Sequence, residues 1–206
     1  MRITKLEPSK HKKGRFLVQL DSGDLLRVGE DELVRFALYS GKELDEAERA
    51  ALEAAARTGG FRDKALSTLT ARPMSRRDLI ARLKDKDASD AEAEEVADWL
   101  ERLGLLNDAE YAKALVRHYA DKGYGPYKLR DELYRRGVPK QFWDAALEEA
   151  QGPEEAIDAL LRQKLKGARP DRKELKKASD ALARRGFRWQ DISAALRRYG
   201  AEIEDE

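Results

Sequence analysis

"YRRGVPKQFWDAALEEA" (Tyr134–Ala150) and "ARRGFRWQDISAALRRY" (Ala183–Tyr199) are two versions of one sentence. Each runs Arg-Arg-Gly, an apolar residue, a polar bridge and an Ala-Ala-Leu helix. Aligning Leu133 with Leu182 places Gly137 on Gly186 and Leu147 on Leu196, a shift of 49 residues. Leu83 lies 50 residues before Leu133 and holds the same place in its own helix. The glycine is suited to the left-handed conformation that ends a helix, and Val138 or Phe187 after it is placed to fold back onto that helix. Asp87 stands where the other copies have glycine, so the turn of the first copy is free to differ. Repetition at this period is the mark of a tandem array whose neighbouring units cover one another's apolar faces.

Working outward, helix starts recur on schedule. Asp45 with Glu48, Ser89 with Glu92, Asn107 with Glu110 and Asp171 with Glu174 are capping-box pairs. Gly125-Pro126 and Gly152-Pro153 place proline at a first helical position. Ser75 opens "SRRDLIARLKDK", Gly59-Gly60 is read as a break, and Gly41 as the end of "EDELVRFALYSGK". Residues 2–28 differ: Phe16, Val18 and Leu20 alternate with polar residues before "DSGD", which predicts a β-hairpin or three-stranded meander. The expected fold is all-α, an elongated tandem array of three three-helix repeats with a small β-containing N-terminal segment. Its divisions are a β-hairpin/helix segment over 1–44, a helical linker over 45–60, repeats over 61–106, 107–151 and 152–200, and an acidic tail over 201–206.

Composition narrows the function. Of the 206 residues 39% are charged, well above the usual ~25%, and the net charge of +1 averages blocks of opposite sign. Cysteine is absent, which excludes disulfide and thiolate chemistry and fits a reducing compartment. The N-terminus lacks the apolar core of a signal peptide, and no apolar run approaches the ~20 residues of a membrane span. A soluble cytoplasmic protein is expected. No phosphate loop, dinucleotide fingerprint or metal-ligand spacing is present. His11 and His118 are the only histidines, and the carboxylates fall at caps and on charged faces. Neither catalytic residues nor a cofactor are expected.

The charge blocks point elsewhere. "PYKLRDELYRR" holds four basic residues against two acids, and "RKELKKASDALARR" six against two. Arg76, Arg77, Arg82, Lys128, Arg130, Arg135, Arg136, Lys176, Lys177, Arg184 and Arg185 all lie on the middle helices of the units. Any one of them, taken alone, reads more readily as a solvated helix residue. Their recurrence in three units is the footprint of a polyanion partner. Tyr124 and Tyr127 flank Gly125-Pro126 in this basic setting and are candidates for stacking on bases. Trp99 and Trp143 lie near apolar stripes and read as core.

Three segments, "ALSTLTARPMSRRDLIARL", "LLNDAEYAKALVRHYADKGYGPYKLRDELYRRGV" and "LARRGFRWQDISAAL", resemble the RecX family of bacterial regulators of the RecA recombinase in order and spacing across essentially the whole chain. Asp87 and Asp78 depart from the family's usual glycine and glutamate. The resemblance implies a non-enzymatic monomer of DNA repair, homologous recombination and the SOS response. Such a protein would bind the groove of the RecA–single-stranded DNA filament and inhibit ATP hydrolysis and strand exchange, with single-stranded and double-stranded DNA as partners and no membrane. The other reading is a stand-alone helical-repeat nucleic-acid-binding protein.

Overall fold

The computed structural model describes residues 1–150, 152–165 and 170–198. The acidic tail expected over 201–206, and residues 199–200 of the third repeat, lie outside them. By internal contact the chain divides into two compact units, Met1–Pro73 with Leu79–Leu105, and Met74–Asp78 with Leu106 onward.

In the first unit, strands β1 (Ile3–Pro8), β2 (Arg15–Leu20) and β3 (Leu25–Gly29) form an antiparallel meander in the order β1-β2-β3. Val18 pairs with Leu6 on one side and Leu26 on the other. The period-2 pattern turns Val18 and Leu20 inward, where they join Ile3, Val28, Leu38, Leu44 and Leu52 in one core. Helix α1 spans Glu30–Arg35 and stops short of Gly41. Ala37 takes a left-handed φ of 44°, and the Leu38 N–H returns to the Leu33 carbonyl, closing the helix four residues early. Gly41 instead turns the chain so that its N–H meets the Ile3 carbonyl.

Helix α2 runs unbroken over Glu46–Ala71. The expected break at Gly59-Gly60 is absent, because glycine in a helix interior costs only about 1 kcal/mol against alanine and packing offsets it here. Gly59 is a point of close approach: Arg15 Nη2 donates to its carbonyl at 2.7 Å, and a methyl group there would stand 3.1 Å from Arg15 Nη1. The same guanidinium pairs with Asp63 at 2.7 Å. The helix ends where Arg72 turns extended before Pro73.

Helices α3 (Arg76–Lys84) and α4 (Asp90–Arg102) follow, then α5 (Asp108–Ala120), α6 (Pro126–Arg135) and α7 (Trp143–Glu148), the last entered through a 3-10 turn at Lys140–Phe142. Helices α8 (Pro153–Lys164), α9 (Arg172–Arg184) and α10 (Trp189–Arg198) complete the series. The result is tandem three-helix repeats that follow a small sheet in the chain. Capping boxes form at Asp45, Ser89 and Asp171. Asn107 caps α5 by accepting from the Ala109 and Glu110 N–H groups.

The repeat is visible atom by atom at the ends of α3, α6 and α9. Leu83, Leu133 and Leu182 are all buried. Each carbonyl accepts the N–H five residues on, from Ala88, Val138 and Phe187 respectively. The residue between is left-handed in every copy: Asp87 at 68°, Gly137 at 69° and Gly186 at 84°. The turn of the first copy is therefore the same turn. Aspartate reaches this region more readily than most side chains, so a non-glycine residue suffices. Val138 and Phe187 fold back as expected and enter the cores of the second and third repeats, and Trp143 packs against the former.

Candidate nucleic-acid interface

In the second unit the middle helices meet end to end. The carbonyls of Arg185 and Gly186, where α9 stops, accept the N–H groups of Gly125 and Tyr127 at 2.8 and 3.0 Å, where α6 starts. At the other end of α6, the fully buried Ser75 hydroxyl donates to the Arg136 carbonyl at 2.6 Å and accepts the Asp78 N–H at 3.2 Å. Arg77 Nη2 donates to the Arg135 carbonyl at 3.0 Å. At the first joint orphan carbonyls of one helix thus meet orphan donors of the next, and at the second they meet side-chain donors. Asp108, in the first turn of α5, completes the second joint by accepting the Arg76 N–H at 2.8 Å. Burial pushes its carboxyl above the ordinary aspartate value; the Arg76 N–H and charge oppose this and Asp78 adds to it.

This stacking sorts the basic residues. By the 49-residue shift, Lys176 and Tyr127, Lys177 and Lys128, and Arg184 and Arg135 hold equivalent places in α9 and α6; by the 50-residue shift Arg77 in α3 matches Tyr127. Lys176, Lys177 and Arg184 are exposed and have no ion pair among the described residues. Arg135 is exposed over 67% of its side chain while Nη1 reaches the buried Glu132 at 2.9 Å. Arg77 is exposed too, anchored by the carbonyls of α6 and 3.3 Å from Asp78. Lys128 is half-buried, and Arg130 reaches Asp144 at 3.6 Å.

The second arginine of each pair behaves differently. Arg136 is half-buried and hydrogen-bonded to Tyr119, which raises its already high pKa. Arg185 Nη1 donates to the Lys122 carbonyl at 3.1 Å, beside the end of α5. Both are tied into the fold, as cations at helix C-termini often are. Arg76 is half-buried with its backbone N–H engaged. Arg82 is exposed in the part of α3 that clusters with the first unit.

The aromatic candidates also divide. Tyr124 is half-buried, packing against the second repeat's core with its ring 5.6 Å from that of Tyr119. Tyr127 is 56% exposed, and so is a residue the sequence reading passed over, Tyr134, at 66%. The signal for Tyr134 was its place seven residues after Tyr127 on the outward side of α6. A groove of about 980 Å³ lies beside the α9–α6 joint, with Tyr124, Leu129, Arg130, Leu160, Arg185 and Phe187 among its lining and both signs of charge on its rim. Among the described residues no group of three or more His, Asp or Glu is placed to hold a metal, and no helix is long and apolar enough to cross a membrane.

Comparison with known proteins accords with this architecture. Family models described as the second and third three-helix domains of RecX match residues 107–147 and 153–196. The chain is 29% identical over 209 residues to proteins named "Regulatory protein RecX" from Streptococcus pneumoniae strains Hungary19A-6 and 70585, matching all of this chain and 80% of each relative. A crystal structure of regulatory protein RecX superposes with a TM-score of 0.77 at 26% identity, over 95% of this chain and 98% of that one. A crystal structure of RecX from Lactobacillus salivarius shares the fold at a TM-score of 0.65 and 20% identity, over 69% of this chain and 96% of that one.

Proposed function

The chain belongs to the RecX family, and from that premise we propose that it is a non-enzymatic regulator of RecA that binds the RecA–single-stranded DNA filament in its groove and inhibits ATP hydrolysis and strand exchange. The observation that carries the reading is the repeated exposed cation on end-to-end helices, Lys177 and Arg184 in α9 and Arg135 in α6, with the half-buried Lys128 at the place equivalent to Lys177. A helix dipole favours a cation only in the last turn, so it does not account for Lys128 and Lys177 in the first half of theirs. A groove lined by phosphate and carboxylate does, since arginine binds either through paired hydrogen bonds. The protein acts as a cytoplasmic monomer, with DNA met in the filament.

The test uses outward cations only. Lys177→Glu and Arg184→Glu are combined with Arg135→Gln, which keeps a donor for the buried Glu132. Circular dichroism should be unchanged, while the concentration needed to restrain RecA ATP hydrolysis on single-stranded DNA should rise at least tenfold. A folded variant acting at the wild-type concentration would place the partner on another surface.

A further inference from the structure

The second repeat contains five tyrosines and treats them in two ways. Tyr111, Tyr119 and Tyr124 pack against its core. Tyr127 and Tyr134 stand out of it, exposed by 56% and 66%. Seven residues are almost two full helical turns, so the two rings leave the same side of α6 about 10.5 Å apart along its axis. That is close to three base steps at ~3.4 Å each along a strand.

We propose that Tyr127 and Tyr134 form a stacking platform for the unpaired bases of a single-stranded nucleic acid. The proposal deepens the filament reading and rests on it, by naming what the α6 face touches. Each ring has a cation beside it in the chain, Lys128 and Arg135, and Arg77 closes the far end by bonding the Arg135 carbonyl. An aromatic face with cations at its margins suits a strand whose backbone is held by charge and whose bases lie on rings.

Two further observations select single strands over duplex. Asp131 is exposed between the tyrosines on the same side of the helix. A carboxylate there repels a phosphate track across the middle of the face, whereas bases turned toward the rings keep their phosphates at the cationic edges. The equivalents of Tyr127 and Tyr134 are Lys176 and Ala183 in α9, and Arg77 and Lys84 in α3. At these two places only the middle repeat carries aromatic rings, with cations at equivalent places on either side of it in the series; the exposed Trp189 of the third repeat stands at the start of α10 instead.

The test is fluorescence anisotropy with labelled twenty-nucleotide oligo-dT and a chain of equal length with abasic sugars, at one salt concentration and without RecA. Wild type should bind oligo-dT at least tenfold more tightly than the abasic chain, since stacking on one aromatic residue is typically worth about that factor or more. Tyr127→Ala with Tyr134→Ala should bring the two strands to equal affinity and leave binding of the abasic chain unchanged. The Tyr→Phe pair should restore the preference. Equal binding of both strands by wild type, or a preference that survives the double alanine change, would overturn the platform while leaving the cationic face in place. Failure to bind either strand at low salt would overturn it as well, and the ATP hydrolysis assay above would then decide the filament reading on its own.

Discussion

The two joints of α6 do the same task with different chemistry. Where α9 meets α6, backbone meets backbone: Gly125 and Tyr127 give their N–H groups to Arg185 and Gly186. Where α6 meets α3, side chains intervene: Ser75 and Arg77 take the carbonyls of α6, and Asp108 takes the N–H of Arg76. A backbone joint demands that the chains come very close, which the missing Cβ of Gly125 and of Gly186 allows. A side-chain joint keeps the backbones further apart and tolerates more variation, but it brings a titratable group into a buried place. The difference predicts which substitutions each joint will refuse.

The largest effect belongs to the backbone joint. Gly186 has a left-handed φ of 84°, and a side chain on it would run into the backbone of Lys128. Gly186→Ala therefore meets conformational strain and a neighbour that cannot move aside, and should lose about 2–4 kcal/mol in urea unfolding. Gly137 shares the conformation, but a side chain there would meet the Arg77 guanidinium, the mobile end of a long side chain. Gly137→Ala should lose about 1–2 kcal/mol. Asp87→Gly, at the end of α3, should lie within ~0.5 kcal/mol of wild type. Equal losses at Gly186 and Gly137 would break the distinction between the joints.

The side-chain joint comes next. Ser75 is fully buried, and Ser75→Ala strips a partner from both the Arg136 carbonyl and the Asp78 N–H, for a loss of about 1–2 kcal/mol. A loss below ~0.5 kcal/mol by the same measurement would mean that water replaces the hydroxyl and that this joint is looser than its distances suggest.

What the sequence could show follows from the range of each interaction. The leucine spacing, the caps and the prolines are local signals, and the repeats, the helix starts and the meander were legible from them. The run through Gly59-Gly60 was not, because what holds it is Arg15, 44 residues away in sequence. The glycines at 137 and 186 were read as helix stops, which they are; their second role, making room for the next helix, needed the joint itself. The arginine pairs show the same limit. Arg184 and Arg185 are neighbours in sequence, yet one side chain faces water and the other is held by the Lys122 carbonyl. Composition marked the middle helices as basic, and only packing told outward cations from structural ones. Tyr134 was missed because a tyrosine at helical spacing reads as core until its exposure is known.

The smallest effect is also the one that separates the joints most cleanly. The bonds between α9 and α6 join backbone groups that do not titrate, whereas the joint between α6 and α3 includes Asp108. Burial raises this carboxyl above its ordinary value, and the Arg76 N–H and charge recover only part of that rise. A carboxyl that holds its proton more tightly in the folded state than in the unfolded chain favours folding most when both states are protonated. That contribution is full below the unfolded value, near pH 4, and is lost as pH rises through the raised folded value. Asp108→Asn keeps an oxygen to accept the Arg76 N–H and has no charge to bury. Wild type should therefore lose stability relative to the asparagine variant as pH rises from about 4 through the raised folded value. Urea unfolding of both proteins at several pH values measures this, and the other carboxylates cancel in the difference. In a Gly186→Ala background the loss should be unchanged, because the group responsible sits at the opposite end of α6. A wild-type advantage that instead grew with pH would show that the Arg76 N–H outweighs burial, making the side-chain joint an anion site at the start of α3.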